Sequence, residues 1–207
     1  MKVIGISTSP REQSNSDILL RRALEGTAST GANTEYLRLG DYKIAPCSAC
    51  GACYKTGECA IKDDFQKVLN KMLDADRLIF ATPIYFMSVC AQAKILIDRC
   101  QCLWATKYVL KRPIEQTQGR HRLAMVIAVG ATKSKKMFES VRMTMKYWFD
   151  VLDVRYFANL FVNKIEEAGK IAGNAEAMSE AFRLGAELVG AEETTLEKTI
   201  DVEITAG

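Results

Sequence analysis

Five times along this chain a short run of apolar residues gives way to a longer segment with helical spacing, and no other feature restricts the fold as strongly. Lys2 to Ser7 (KVIGIS), Asn33 to Leu39, Arg77 to Thr82 (RLIFAT), Arg122 to Val129 (RLAMVIAV) and Arg155 to Val162 (RYFANLFV) read as strands. After the first, Leu20, Ala23, Leu24 and Thr27 repeat at i, i+3, i+4 and i+7, which predicts a helix over Ser14 to Thr27. Phe65, Val68, Leu69, Met72 and Leu73 repeat the spacing, and Asp63 or Asp64 can cap that helix. Ala91 to Trp104, the segment marked by Met137, Val141, Met145, Trp148 and Leu152, and the segment from Met178 to Val189 read as three more helices. Several strands are near-continuous apolar runs, as expected where helices cover both faces of a sheet. The expectation is an α/β fold: a doubly wound, five-stranded parallel sheet.

The 207 residues suffice for one well-buried domain and are short for two. Residues 1–190 are expected to form that domain, with a cysteine-rich loop, 46–62, inserted in it. The tail, 191–207, is acidic; in it Ile200, Val202 and Ile204 alternate with Asp201 and Glu203. That stretch suits an added edge strand, a reach toward a neighbouring subunit, or a partly ordered end.

A formal charge of +3 is too weak to argue for nucleic acid, which calls for clustered Lys and Arg. The densest basic group, Lys133, Lys135 and Lys136, reads as a solvated face; the other reading is an anion site for a nicotinamide phosphate or an acidic protein. The longest apolar run, Leu123 to Ala131, is too short to span a bilayer as a helix, and no secretory leader is evident. A cytoplasmic protein is expected. There are seven cysteines and one histidine, so a histidine-rich metal site has little material to work with.

Two loops carry distinctive chemistry. The first strand runs into Ser7-Thr8-Ser9-Pro10-Arg11-Glu12-Gln13-Ser14-Asn15-Ser16 and then a helix. A helix N-terminus offers free N–H groups and the positive end of the dipole, and Ser7, Ser9, Ser14, Asn15, Ser16 and Arg11 add donors and charge suited to a phosphate. Neither G-x-x-x-x-G-K-S/T nor G-x-G-x-x-G is present, so a terminal monophosphate fits better than a triphosphate or a dinucleotide. Helix capping alone is the other account of these hydroxyls. The third strand runs into Thr82-Pro83-Ile84-Tyr85-Phe86-Met87-Ser88, with two aromatics where loops are normally polar. In a sheet of order 2-1-3-4-5 ligands bind in the crevice between strands one and three, where both loops lie. Tyr85 and Phe86 can pack against a planar ring there, or simply in a core or interface.

Cys47, Cys50, Cys53 and Cys59 read C-x2-C-x2-C-x5-C. Two-residue spacers let a loop wrap successive thiolates around one centre; Ala49, Gly51 and Ala52 keep it thin, and Gly57 allows the turn that returns Cys59. Zinc also accepts four cysteines, though usually as two separated pairs. Unligated or regulatory thiols are the third account. Cys90, Cys100 and Cys102 read as buried small hydrophobes, with the last two facing different ways. Trp104 and Trp148 read as core, and His121 as a surface residue.

S-x-S-P-R-x-x-S-N-S, T-P-I-Y-F and A-Q-x-K-x-x-I-D-R (Ala91 to Arg99) together resemble the NADPH-dependent FMN reductase family of the flavodoxin-like superfamily, and the compact cysteine pattern resembles its iron–sulfur flavoprotein branch. The resemblance covers roughly Met1 to Phe161. It implies FMN phosphate at Ser7, Ser9, Arg11, Ser14, Asn15 and Ser16, the flavin ring near Pro83, Ile84, Tyr85 and Phe86, a third loop at Gly130, and a 4Fe-4S cluster on Cys47, Cys50, Cys53 and Cys59. It further implies ferredoxin or another one-electron carrier as partner, NAD(P)H as a donor, a small-molecule acceptor such as dioxygen, peroxide or a quinone, and a homodimer or homotetramer. Met87 departs from the pattern, since the family often has Gly there, and a bulky residue narrows access to the flavin. Two rival functions remain: an NAD(P)H-dependent FMN or quinone reductase with zinc or nothing on its cysteines, and a redox-sensing binding protein.

Overall fold

The computed structural model describes residues 1–192 and 198–206. Strand β1 (Lys2–Ser7) leads into helix α1 (Asn15–Ser29), and β2 (Asn33–Arg38) follows. The cysteine loop comes next and contains one short helix, α2 (Cys53–Thr56). Helix α3 (Phe65–Asp74), β3 (Arg77–Tyr85), the two-residue β4 (Ser88–Val89), α4 (Ala91–Arg99) and α5 (Gln101–Trp104) complete the first half. The second half runs β5 (Leu123–Val129), α6 (Met137–Val151), β6 (Arg155–Asn163), α7 (Ala175–Gly190) and β7 (Ile200–Thr205).

The parallel strands lie in the order β2-β1-β3-β5-β6-β7, and β4 pairs antiparallel with the end of β3. The five strands read from the sequence therefore occupy the expected order. Their number is a correction: the sheet has seven strands, because β7 pairs parallel with β6 from Ala158↔Ile200 to Asn163↔Thr205 and β3 turns back into β4. The alternation of Ile200, Val202 and Ile204 is that of an edge strand, with Ile204 buried against the core. The segment read as one helix from Ala91 to Trp104 breaks at Cys100 into α4 and α5 and continues as a π-turn over Ala105–Val109.

Strand alternation divides the core into two layers. Ile4, Ile6, Leu78, Phe80, Ala124 and Val126 face one side, where α3, α4 and α6 supply Phe65, Val68, Leu96, Phe138 and Trp148. Val3, Ile79, Met125, Ile127 and Leu160 face the other, covered by Leu19, Leu20 and Leu24 of α1 and Leu184 of α7. Helices α1 and α7 touch backbone to backbone. A Cβ on Gly26 would stand 2.1 Å from the Phe182 carbonyl oxygen, and one on Gly185 would stand 2.0 Å from that of Ala23. Trp148 packs edge-on to Phe80 at 4.8 Å as a core residue. Trp104 does not; it is partly exposed beside Tyr54 and Tyr108, while its α5 neighbours Cys102 and Leu103 take the buried side.

Buried Arg122 has no carboxylate partner among the described residues. It donates to the carbonyls of Met72, Ala75 and Leu152, where α3 and α6 end, and so offsets the negative ends of two helix dipoles. No helix among the described residues is long and apolar enough to cross a membrane.

Candidate functional site

At the C-terminal edge of the sheet the loops after β1, β3, β5 and β6 enclose a cavity of about 230 Å³. Its walls include Ser9, Arg11, Ser14, Asn15, Ser16, Pro83, Ile84, Tyr85 and Gly130. Nine of the residues singled out in the sequence are thus brought to one place. Ser7 is buried at the end of β1 beside Tyr36 and does not line the cavity. Phe86 does not line it either; it stands fully exposed at the turn between β3 and β4.

The first loop is set by hydrogen bonds within the sheet. Thr8 donates to the Ala81 carbonyl through both its N–H (3.0 Å) and its hydroxyl (2.9 Å), and the buried Cys90 thiol donates to the Thr8 carbonyl at 3.2 Å. Ser14 caps α1 by accepting from the Asp17 N–H at 3.3 Å, so the open end of a fifteen-residue helix faces the cavity. The Asn15 amide is already occupied. Its Nδ2 donates to the Glu167 carbonyl at 2.9 Å, and its Oδ1 accepts from the buried Ile171 N–H at 3.2 Å. Asn15 therefore ties the first loop to the loop after β6. That second loop supplies Ile165, Glu166 and Ala168 to the cavity, none of which sequence patterning pointed to.

The β3–β4 hairpin closes over the opposite side. Phe86 (φ 48°) and Met87 (φ 63°) both sit in the left-handed region that a two-residue turn of this kind requires. Such a backbone favours glycine, which accounts for Met87 being a departure and makes the turn strained as it stands. Ser140 of α6 donates to the Met87 carbonyl and holds the turn down. Gly130, opposite, lies against Met137: a Cβ would meet Met137 Sδ at 2.6 Å and require that side chain to shift. The basic group at residues 133–136 is exposed, and Lys135 pairs with Glu203 of β7 at 3.0 Å.

The cysteines form a second centre. Cys47, Cys50, Cys53 and Cys59 all line one cavity of about 390 Å³, with Cys47 and Cys50 exposed and the other two half-buried. Three left-handed residues shape the loop, Ala49, Gly51 and Gly57. Gly57 ends α2, and a Cβ there would come within 2.7 Å of Thr106 Oγ1. Burial, and then the neighbouring Cys50, Cys59 and Cys47, push the Cys53 thiol up. Among the described residues no three His, Cys, Asp or Glu side chains converge on a point suited to a single metal ion. The four thiols share the lining of one cavity.

Asp98, Arg99, Gln101 and Cys102 line this cavity from outside the loop, and two of them are buried. Cys102 lines the cavity from α5, and burial pushes its thiol up to about 11; Cys100, on the other side of the helix, is pushed up by burial near Trp148. The divergence of these two cysteines was legible, but the cavity Cys102 reaches was not. The other residue is Arg99, the last of α4. Its guanidinium pairs with Asp63 at 2.7 Å and stacks over Phe65 at 4.5 Å. Burial by itself pushes the Asp63 carboxyl up, but Arg99 and the N–H groups of Ala45 and Phe65 outweigh it and hold the group down at about 2. Lys55 and Lys62 are exposed, so the buried cation at this centre is Arg99.

A parallel sheet of this order, with its cavity between the first and third strands, defines the flavodoxin-like class of α/β proteins. The sequence model of NADPH-dependent FMN reductases matches residues 1–164, and the chain belongs to that family. An iron–sulfur flavoprotein of Methanocaldococcus jannaschii is 40% identical over 135 residues, 65% of this chain and 64% of that protein. The match therefore spans under two thirds of that relative's length. An iron–sulfur flavoprotein of Methanosarcina thermophila is 31% identical over 172 residues, 81% of this chain and 85% of that protein. Among solved structures a flavone reductase superposes with a TM-score of 0.72 at 21% identity, covering 97% of this chain and 66% of that one, which is a likeness of fold.

Proposed function

We propose that this protein is a flavin-dependent oxidoreductase that holds FMN at the sheet edge and a 4Fe-4S cluster on Cys47, Cys50, Cys53 and Cys59. The observation that carries this is the gathering of four thiols around one cavity of about 390 Å³ in a chain whose sheet-edge cavity faces a helix N-terminus. The donor set suits FMN: open N–H groups of α1, the hydroxyls of Ser9, Ser14 and Ser16, the charge of Arg11, and the flat flank of Pro83, Ile84 and Tyr85. The compact C-x2-C-x2-C-x5-C spacing favours a cluster over zinc, whose four-cysteine sites usually come as two separated pairs. When bound, FMN supplies one- and two-electron chemistry and the cluster one-electron transfer. The protein's residues have the remaining tasks: anchoring the phosphate, wedging the ring between two loops, and limiting the access of water to the half-buried thiols Cys53 and Cys59.

This function brings with it NAD(P)H or a one-electron carrier such as ferredoxin as donor, and a small-molecule acceptor. It suits a cytoplasmic setting. The exposed Phe86, Met87, Met143 and Tyr147 support assembly into a homodimer or homotetramer. The test is anaerobic purification with an absorption spectrum and counts of iron, sulfide and FMN. Cys53→Ala is expected to abolish the iron and leave FMN in place. Zinc in place of iron, or full iron in that variant, refutes the assignment.

A further inference from the structure

A guanidinium carries five N–H donors in one plane. Four of those of Arg99 are accounted for. Nη1 donates to the Ala45 carbonyl at 2.8 Å and to Asp63 Oδ2 at 2.7 Å. Nη2 donates to the Ile61 carbonyl at 3.1 Å and to Asp63 Oδ1 at 3.1 Å. Each of these bonds goes to a residue flanking the cysteine segment, so Arg99 and Asp63 draw its two ends together. The fifth donor, Nε–H, is buried and has no partner among the described residues. Folded proteins rarely leave a buried N–H unpaired, and the side chain that carries this one is 1% exposed. The guanidinium lies against Cys59 and lines the same cavity as the four thiols.

We infer that Arg99 Nε–H is the hydrogen-bond donor to a sulfur of the cysteine centre, and that Arg99 is a positioning residue that favours the centre's reduced state. The inference rests on the reading that these cysteines hold an iron–sulfur cluster. Reduction adds one negative charge to the cluster. A fixed cation out of contact with water, with a donor directed at sulfur, stabilises that charge more than the oxidised form. Exposed Lys55 and Lys62 are screened by solvent and contribute little. The competing role is purely mechanical, a clamp on the loop, and Asp63 provides the control. It shares the clamp and does not line the cavity.

The experiment compares wild type, Arg99→Lys, Arg99→Gln and Asp63→Asn, all purified anaerobically. Iron and sulfide counts, the cluster's midpoint potential by mediated titration, and the Fe–S stretching bands in H2O and D2O are the readouts. Both Arg99 variants are expected to disfavour reduction at least about tenfold, which is about 59 mV for a one-electron couple. Asp63→Asn, which removes a negative charge, shifts the potential upward or not at all. Wild type shows a deuterium-sensitive Fe–S band that Arg99→Lys lacks. If Arg99→Gln alone fails to hold iron, Arg99→Lys and its spectrum decide the matter. An Arg99→Lys potential within about threefold of wild type in equilibrium constant overturns the inference. So does equal lowering by Arg99→Lys and Asp63→Asn, or equal loss of iron in all three variants. Wild-type protein without iron sinks the underlying reading and this inference with it.

Discussion

Asn15 joins two loops that are 152 residues apart in sequence, and its removal has a calculable cost. Asn15→Ala deletes one bond to the Glu167 carbonyl and one from the Ile171 N–H. Glu167 is exposed, so water replaces the first bond and the loss is about 0.5–1.5 kcal/mol. Ile171 is fully buried, so its N–H is orphaned, which costs about 1–3 kcal/mol. The sum, roughly 2–4 kcal/mol, falls on the loop that carries Ile165, Glu166 and Ala168 to the sheet-edge cavity, the proposed flavin site. Spread between global stability and local order, it weakens FMN binding by roughly ten- to a hundredfold. Quenching of FMN fluorescence on titration with apoprotein measures the affinity, and urea denaturation measures the remainder. Asn15→Asp retains the acceptor for Ile171, loses the donor to Glu167 and places a negative charge at the phosphate end, so it is expected to weaken FMN at least as much while costing less stability. FMN affinity within twofold of wild type for both variants would refute the claim that this side chain organises the cavity.

Three further outcomes follow from other parts of the molecule. Gly185→Ala drives a Cβ into the Ala23 carbonyl, which outweighs the ~1 kcal/mol gained in helix propensity; a net loss of about 2–3 kcal/mol is expected in denaturant melts, and Gly26→Ala at the same crossing is expected to be non-additive with it. Because Asp63 is held at about 2, below the ordinary 3.8, its pairing with Arg99 stabilises the loop above pH 4 and is lost as pH falls through 2; the contribution is at most about 2 kcal/mol, and Asp63→Asn should flatten the acid limb of the stability curve of the apoprotein in that window. Cys102→Ala is expected to leave the iron count unchanged, since its thiol is pushed up to about 11 and donates to the Arg99 carbonyl at 3.5 Å; loss of iron would show that five cysteines, not four, serve the centre.

Local patterning carried most of the fold. Leu123 to Val129 is apolar throughout and became a central strand, because a strand buried on both faces needs no alternation. Ser14 before a helical repeat marked where α1 begins. The misses have a common cause. Residues 164–174 have no periodicity, yet Ile165, Glu166 and Ala168 wall the sheet-edge cavity, since the segment's place is set by Asn15 rather than by its own composition. Arg99 stood out only as the last residue of A-Q-x-K-x-x-I-D-R, inside a helix read as far as Trp104, and only the docking of the cysteine segment onto α4 shows that it is buried. Trp104 followed a helical count that Cys100 interrupts. The second cavity was legible as a motif and its supporting shell was not, because the shell is assembled across distant segments.

The crossing of α1 and α7 at Gly26 and Gly185 has a bearing on how the chain is born. A ribosome emits the phosphate loop and its helix early, but the surface on which that helix rests is completed only when residues 175–190 emerge. Until then Leu19, Leu20 and Leu24 have half of their cover, and the pocket remains unfinished. Flavin capture by a nascent chain should therefore be a late event, and truncations that stop short of α7 should emerge colourless.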